Sequence, residues 1–270
     1  MASDILELRW SVYSDGYELI ESDPPDNWPK DSPNFSIKPK KPTGNITEYS
    51  VVDNPGLFRT FIELIKQNPG GYCDTDKALS FASKYGLLVS RNGEENLIDW
   101  THSSETMFRA FDIWDAAKNR NMKLLKHYIE LKEEQIDLYI PMYPNPRDTE
   151  YGFSLLKSHD SLIKWPKNEI EAAYHIIPFL MEKNLGDSLN AGIFTNEYNT
   201  GTEFRVKPKN LISALWLQFG LSVSRIEIFR KCEDIDCSTY FDNRKKKRRY
   251  EKRFCSSTCR KRSERRNKAK

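Results

Sequence analysis

The chain is short of the features that mark most enzymes and membrane proteins. Histidine occurs only at His102, His127, His159 and His175, with no HExxH spacing and no close pair, so each reads as a surface or core residue rather than a ligand. No G-x-x-x-x-G-K-[ST], G-x-G-x-x-G or G-x-S-x-G segment is present, which removes the common phosphate-cradling loops and the nucleophile elbow. Apolar runs extend over only a few residues, far below the roughly 20 needed to cross a bilayer. The first residues lack a basic stretch followed by an apolar one, so the expectation is a cytoplasmic protein with no membrane partner. Cys73 stands alone without a neighbouring base and reads as a structural thiol. Glu94-Glu95 and Glu133-Glu134 read as solvated turn and helix surfaces. Nothing nominates a catalytic residue, and the chain is not expected to be an enzyme.

What is present is aromatic residues and segregated charge. The 14 Phe, 13 Tyr and 6 Trp can bury enough surface to offset the entropy of folding, which excludes a disordered chain. A length of 270 residues suits one main domain plus a small module. The net charge of +3 hides an asymmetry: residues 225–270 hold 18 Lys and Arg against 7 Asp and Glu, a net of +11, and residues 1–224 hold 24 against 32, a net of −8. An acidic body with a basic tail is the mark of an interaction tail, with nucleic acid the commonest partner.

The body, residues 1–224, reads as mainly α with a minor α+β component: a helical domain with short hairpins. Residues 5–10 and 17–20 form a hairpin around Asp15-Gly16, and the six prolines of residues 22–47 mark a long surface connection. Apolar spacing predicts helices over 56–67, 75–85, 104–118 (capped by Ser103 or Ser104), 122–134 and 168–183, the last kinked or ended by Pro178. Residues 193–198 and 202–206 form a hairpin across Asn199-Thr200-Gly201. A helix over 211–224, apolar nearly all round, belongs in the core and leads into the tail, and Trp100, Trp114 and Trp216 read as core residues.

Four of the five cysteines, Cys232, Cys237, Cys255 and Cys259, stand within 28 residues in a C-x4-C-x17-C-x3-C arrangement. In a reducing compartment such clustered thiols are metal ligands rather than disulfides. Each close pair grips one side of a tetrahedral Zn²⁺, and the 17 residues between them accommodate a short hairpin. Cys255 and Cys259 are four apart, so a helix starting there presents both sulfurs on one face. This knuckle, hairpin and helix-borne pair resemble a treble-clef finger over residues 225–270. Four thiolates leave a charge of −2 around one structural Zn²⁺, to be offset by Arg230, Lys231, Lys252, Arg253 and Arg260.

The segment Leu211-Ile212-Ser213-Ala214-Leu215-Trp216-Leu217-Gln218-Phe219, then Phe229-Arg230-Lys231-Cys232, Cys237, Phe241, Phe254-Cys255-Ser256 and Cys259, resembles bacterial CGNR-type zinc-finger proteins. The resemblance covers about residues 208–266 and implies a helical amino-terminal domain with a carboxy-terminal DNA-binding finger, as in transcriptional regulators. It carries a ligand role onto all four cysteines. Where the family reads Cys-Gly-Asn-Arg this chain has Cys259-Arg260-Lys261-Arg262, so no role of the Gly-Asn pair transfers.

The partner expected from the charge is nucleic acid, DNA before RNA. Candidate phosphate contacts are the run Arg244, Lys245, Lys246, Lys247, Arg248 and Arg249, then Lys252 and Arg253, then Arg260, Lys261, Arg262, Arg265 and Arg266. Each cation placed on a phosphate releases a condensed counterion. Tyr240, Phe241 and Tyr250 could stack on unpaired bases, although Phe241 fits better as part of the finger's own core. The alternative is a protein-interaction module, its zinc a structural clip and its tail docking an acidic surface. Homo-oligomerisation is left open.

Overall fold

A computed structural model describes residues 9–22, 34–54, 56–66, 72–90, 93–133, 135–140, 151–156, 165–195, 202–224, 229–232, 234, 237, 240–242 and 253–268. The chain runs β1 (Arg9–Tyr13), β2 (Tyr17–Glu21), β3 (Phe35–Pro39), β4 (Ile46–Ser50), a 3-10 turn, α1 (Leu57–Ile62), α2 (Thr75–Tyr85), β5 (Glu95–Asn96) and α3 (Leu97–Lys118). It continues through α4 (Met122–Tyr128), β6 (Ile129–Leu131), β7 (Gln135–Ile140), β8 (Tyr151–Leu156), α5 (Glu169–Leu185), β9 (Leu189–Thr195), β10 (Thr202–Pro208) and α6 (Leu211–Val223). The carboxy-terminal elements are β11 (Phe229–Lys231), β12 (Tyr240–Asp242) and α7 (Ser257–Lys268).

Among the described residues, seven α-helices stand beside twelve strands in five small sheets, so the fold is α+β and the expectation of a mainly α protein is corrected. The strands have two to seven residues, too few alternations to stand out against the helical spacing around them. The amino-terminal hairpin is also corrected. Gly16, at φ 77°, does reverse the chain, but β1 pairs with β4 (Trp10 opposite Tyr49) and β2 with β3 (Leu19 opposite Ile37). The proline-rich connection therefore contains a strand, with Pro39 closing β3 rather than interrupting it.

Helix boundaries follow their caps. Asn96 accepts from the Ile98 amide at 2.8 Å and starts α3 well before Ser103 or Ser104. Ser104 is instead buried, its hydroxyl turned onto the Thr101 carbonyl at 3.1 Å. The helix expected over 122–134 stops at Tyr128, where the chain turns into the meander β6-β7-β8. Helix α5 runs through Pro178 to Leu185. The proline removes the hydrogen bond to the Tyr174 carbonyl, and Tyr174 is half exposed, where water can replace that donor. The β9–β10 hairpin forms as expected; its turn at Asn199-Thr200-Gly201 lies outside the described residues.

One continuous apolar core runs from β1 to α6, with Trp10, Trp100 and Trp216 among its largest fully buried side chains. Helix α6 contributes Leu211, Leu215, Trp216 and Phe219 and is capped by Asn210, which accepts from the Ser213 amide at 2.9 Å. Its Gln218 amide clips distant backbone: the oxygen accepts from the Phe58 amide at 3.3 Å, and the nitrogen donates to the Val51 and Asn54 carbonyls at 3.1 and 2.9 Å. No helix of the described residues is long and apolar enough to cross a membrane.

Candidate metal centre

Strands β11 and β12 pair antiparallel, Arg230 opposite Phe241, so Cys232 and Cys237 sit in the connection of a short hairpin. This hairpin encloses the first cysteine pair, and most of the segment between Cys237 and Cys255, where a short hairpin was expected, lies outside the described residues. The Cys237 amide donates to the Asp234 carbonyl at 2.8 Å and closes this knuckle. The second pair stands at the start of α7, with Cys255 just before the helix and Cys259 in its first turn. Ser256 caps that turn, its hydroxyl accepting from the Cys259 amide at 3.2 Å. The helix N-terminus places its positive dipole end beside both sulfurs.

All four sulfurs lie within 4.8 Å of one another, with Cys255 Sγ 3.6 Å from Cys237 Sγ and 3.5 Å from Cys259 Sγ. A tetrahedron of thiolates at about 2.3 Å from one ion separates its sulfurs by about 3.8 Å, so the residues fit a zinc-sized tetrahedral ion. The Cys255 amide points at Cys232 Sγ, 3.5 Å away, a donor suited to a thiolate. Cys232 and Cys259 are buried, and the cluster with Phe254 forms a small core of its own. Burial first, then hydrogen bonding with the Cys259, Cys237 and Cys232 sulfurs, pushes the Cys255 thiol up to about 12. A cation among sulfurs this close favours their ionisation, so metal binding releases protons.

The structure sorts the candidate phosphate-binding residues. Asp234, in the knuckle, has a fully buried carboxylate that takes Arg262 Nε at 2.5 Å on one oxygen and Arg266 Nη2 at 2.6 Å on the other. Arg262 also brings Nη2 to 3.9 Å from Cys259 Sγ. Two of the tail's cations are therefore engaged at the cluster itself. Arg260 pairs with Glu264 at 3.6 Å, and Arg253 stands 5.9 Å from the Phe254 ring centroid. Lys261 and Arg265, four positions apart on α7, are exposed. Arg244, Lys245, Lys246, Lys247, Arg248, Arg249, Lys252 and Tyr250 lie outside the described residues. Asp234 was invisible to sequence reasoning, because an acid among three others in residues 227–236 carries no mark of burial.

In the body, Glu95 overturns its reading as a solvated turn residue. Its carboxylate is buried and accepts four hydrogen bonds: from the Leu88, Val89 and Ser90 amides at 2.7, 2.6 and 2.7 Å, and from Trp100 Nε1 at 2.8 Å. A cleft of about 530 Å³ opens beside it, lined by Ser22, Ser36, Ser90, Asn96, Asp99 and Ser103. The one buried acid there is committed to the fold. Cys73 is buried, and that burial pushes its thiol up to about 11, against a smaller opposing effect of the Thr101 hydrogen bond, so it is inert at neutral pH. Among the described residues no second group of three or more His, Cys, Asp or Glu approaches ligand geometry.

Comparison with family models, characterised proteins and solved structures yields no match.

Proposed function

We propose that the chain is a zinc protein whose basic carboxy-terminal module binds nucleic acid, duplex DNA in particular, in the manner of a transcriptional regulator. The observation that carries this reading is the joining of the four-thiol cluster to α7, a helix with six Lys and Arg against one Glu. A segment of this size buries little apolar surface, and the metal supplies its folding free energy, on the order of 10 kcal/mol or more. Four thiolates close the coordination shell, leaving no position for water or substrate, so the ion is structural. The cations around it supply sequence-independent affinity for phosphate, and the acidic body, at −8, repels nucleic acid and leaves binding to the tail.

The test is a salt titration of duplex DNA binding by the full-length, zinc-loaded protein and by a variant carrying Gln at 244–249. The six neutralised positions account for a slope of up to about 5 in log K against log salt at about 0.9 per phosphate. Weaker binding with a shallower slope is expected. Binding unchanged by the six substitutions, or absent from the intact protein, refutes the reading and turns attention to an acidic protein partner.

A further inference from the structure

We infer that Asp234 is the positioning residue of the metal centre, holding Arg262 and Arg266 of α7 against the cysteine cluster and leaving the exposed Lys261 and Arg265 to face phosphate. The second half rests on the nucleic-acid reading above; the first does not.

A carboxylate with no exposure needs hydrogen-bond donors or counter-charges on its oxygens, and at Asp234 these are cations. Asp234 receives one guanidinium on each oxygen, from residues four apart on α7, so successive turns of the helix are fixed to one point of the knuckle. The same residue's carbonyl takes the Cys237 amide at 2.8 Å. Arg262 spans the carboxylate and Cys259 Sγ, at 2.5 and 3.9 Å. Asp234 thus orients the cation that offsets thiolate charge, a role the sequence had given to other basic residues. Replacing a residue that holds metal ligands from behind typically costs about 10–100-fold in metal affinity. Swinging Arg262 or Arg266 onto a phosphate would leave a buried carboxylate short of its counter-charge, whereas Lys261 and Arg265, on a neighbouring strip of the helix, carry no such obligation.

The test uses full-length protein and three variants: D234N, the charge-conserving R262K/R266K, and K261Q/R265Q. Zinc affinity by chelator competition and the thiolate-to-Co²⁺ charge-transfer bands of the cobalt form are measured for each. D234N and R262K/R266K are expected to lose tenfold or more in metal affinity and to shift the bands, because lysine keeps the charge but not the planar group by which Arg262 reaches one oxygen and the sulfur while Arg266 takes the other oxygen. K261Q/R265Q is expected to match the parent. On duplex DNA, K261Q/R265Q is expected to lower the salt slope by about 2, and R262K/R266K to retain it. Parental metal affinity and spectra in both D234N and R262K/R266K overturn the assignment of Asp234. An unchanged salt slope in K261Q/R265Q overturns that of Lys261 and Arg265. If the intact protein binds no DNA, the nucleic-acid reading falls and takes Lys261 and Arg265 with it, while the metal measurements still decide Asp234.

Discussion

Glu95→Gln isolates the energetics of a single buried carboxylate. Each oxygen of Glu95 accepts two hydrogen bonds: Oε1 from the Val89 and Ser90 amides, Oε2 from the Leu88 amide and the Trp100 indole. Glutamine turns one acceptor into an NH₂ group facing two N–H donors, so two charge-assisted bonds are lost whichever way the amide settles. At about 1.5–3 kcal/mol each the loss is about 3–6 kcal/mol, a large share of the roughly 5–15 kcal/mol that stabilises a domain. Loosening would spread, since the Leu88 carbonyl accepts from the Ile212 amide at the start of α6. In urea, with a slope of about 3 kcal/mol per molar, the unfolding midpoint should fall by about 1–2 M. Circular dichroism and tryptophan fluorescence would follow the transition. The exposed neighbour serves as control: Glu94→Gln should stay within about 0.5 kcal/mol of the parent. Equal midpoints for the two variants would refute the four-donor account of Glu95.

The cysteines divide by accessibility. After chelation in native buffer, a thiol reagent should label the four cluster cysteines and leave Cys73 unlabelled until denaturant is added, because Cys73 is buried with its thiol held near 11; mass spectrometry of the labelled peptides reads the outcome, and early labelling of Cys73 would contradict it. Metal affinity should fall with acidification. Free cysteine thiols are largely protonated at neutral pH and must ionise to ligate the metal, so binding releases protons and each unit of pH lost should cost about tenfold or more in apparent affinity; a pH-independent constant would exclude thiolate ligation. Gln218→Leu should destabilise the body by about 1–3 kcal/mol, since it strands the Phe58 amide, whereas the Val51 and Asn54 carbonyls keep the Asn54 and Leu57 amides as donors; a melting temperature equal to the parent's would show that the clip contributes nothing.

Long periodic elements and covalently specific chemistry were legible in the sequence. The apolar positions of α2 and α6, the pairing of β9 with β10 and the clustering of the four cysteines each lie within a window of a few tens of residues. Partner choice between strands was not legible. Trp10 facing Tyr49 and Ile37 facing Glu95 are decided by the core that forms between them, and Asp15-Gly16 marks a reversal without saying which strands pair. The helix expected to continue past Tyr128 failed for a related reason: Leu124, Leu125, Tyr128, Ile129 and Leu131 satisfy a helical period, and only the facing strand β7 makes Ile129–Leu131 extended. Among the site residues, the sequence grouped every tail cation by charge. It could not separate Arg262 and Arg266 from Lys261 and Arg265, because that separation depends on one buried carboxylate about thirty residues away in the chain.

The most direct test of the metal centre is the mass of the freshly purified protein under native conditions, measured beside a Cys232→Ser/Cys259→Ser variant. One zinc ion per chain, absent from the variant and released from the parent in acid, is the predicted result. A parent that carries no metal, and that shows all four cluster cysteines as ordinary reactive thiols without chelation, would contradict it.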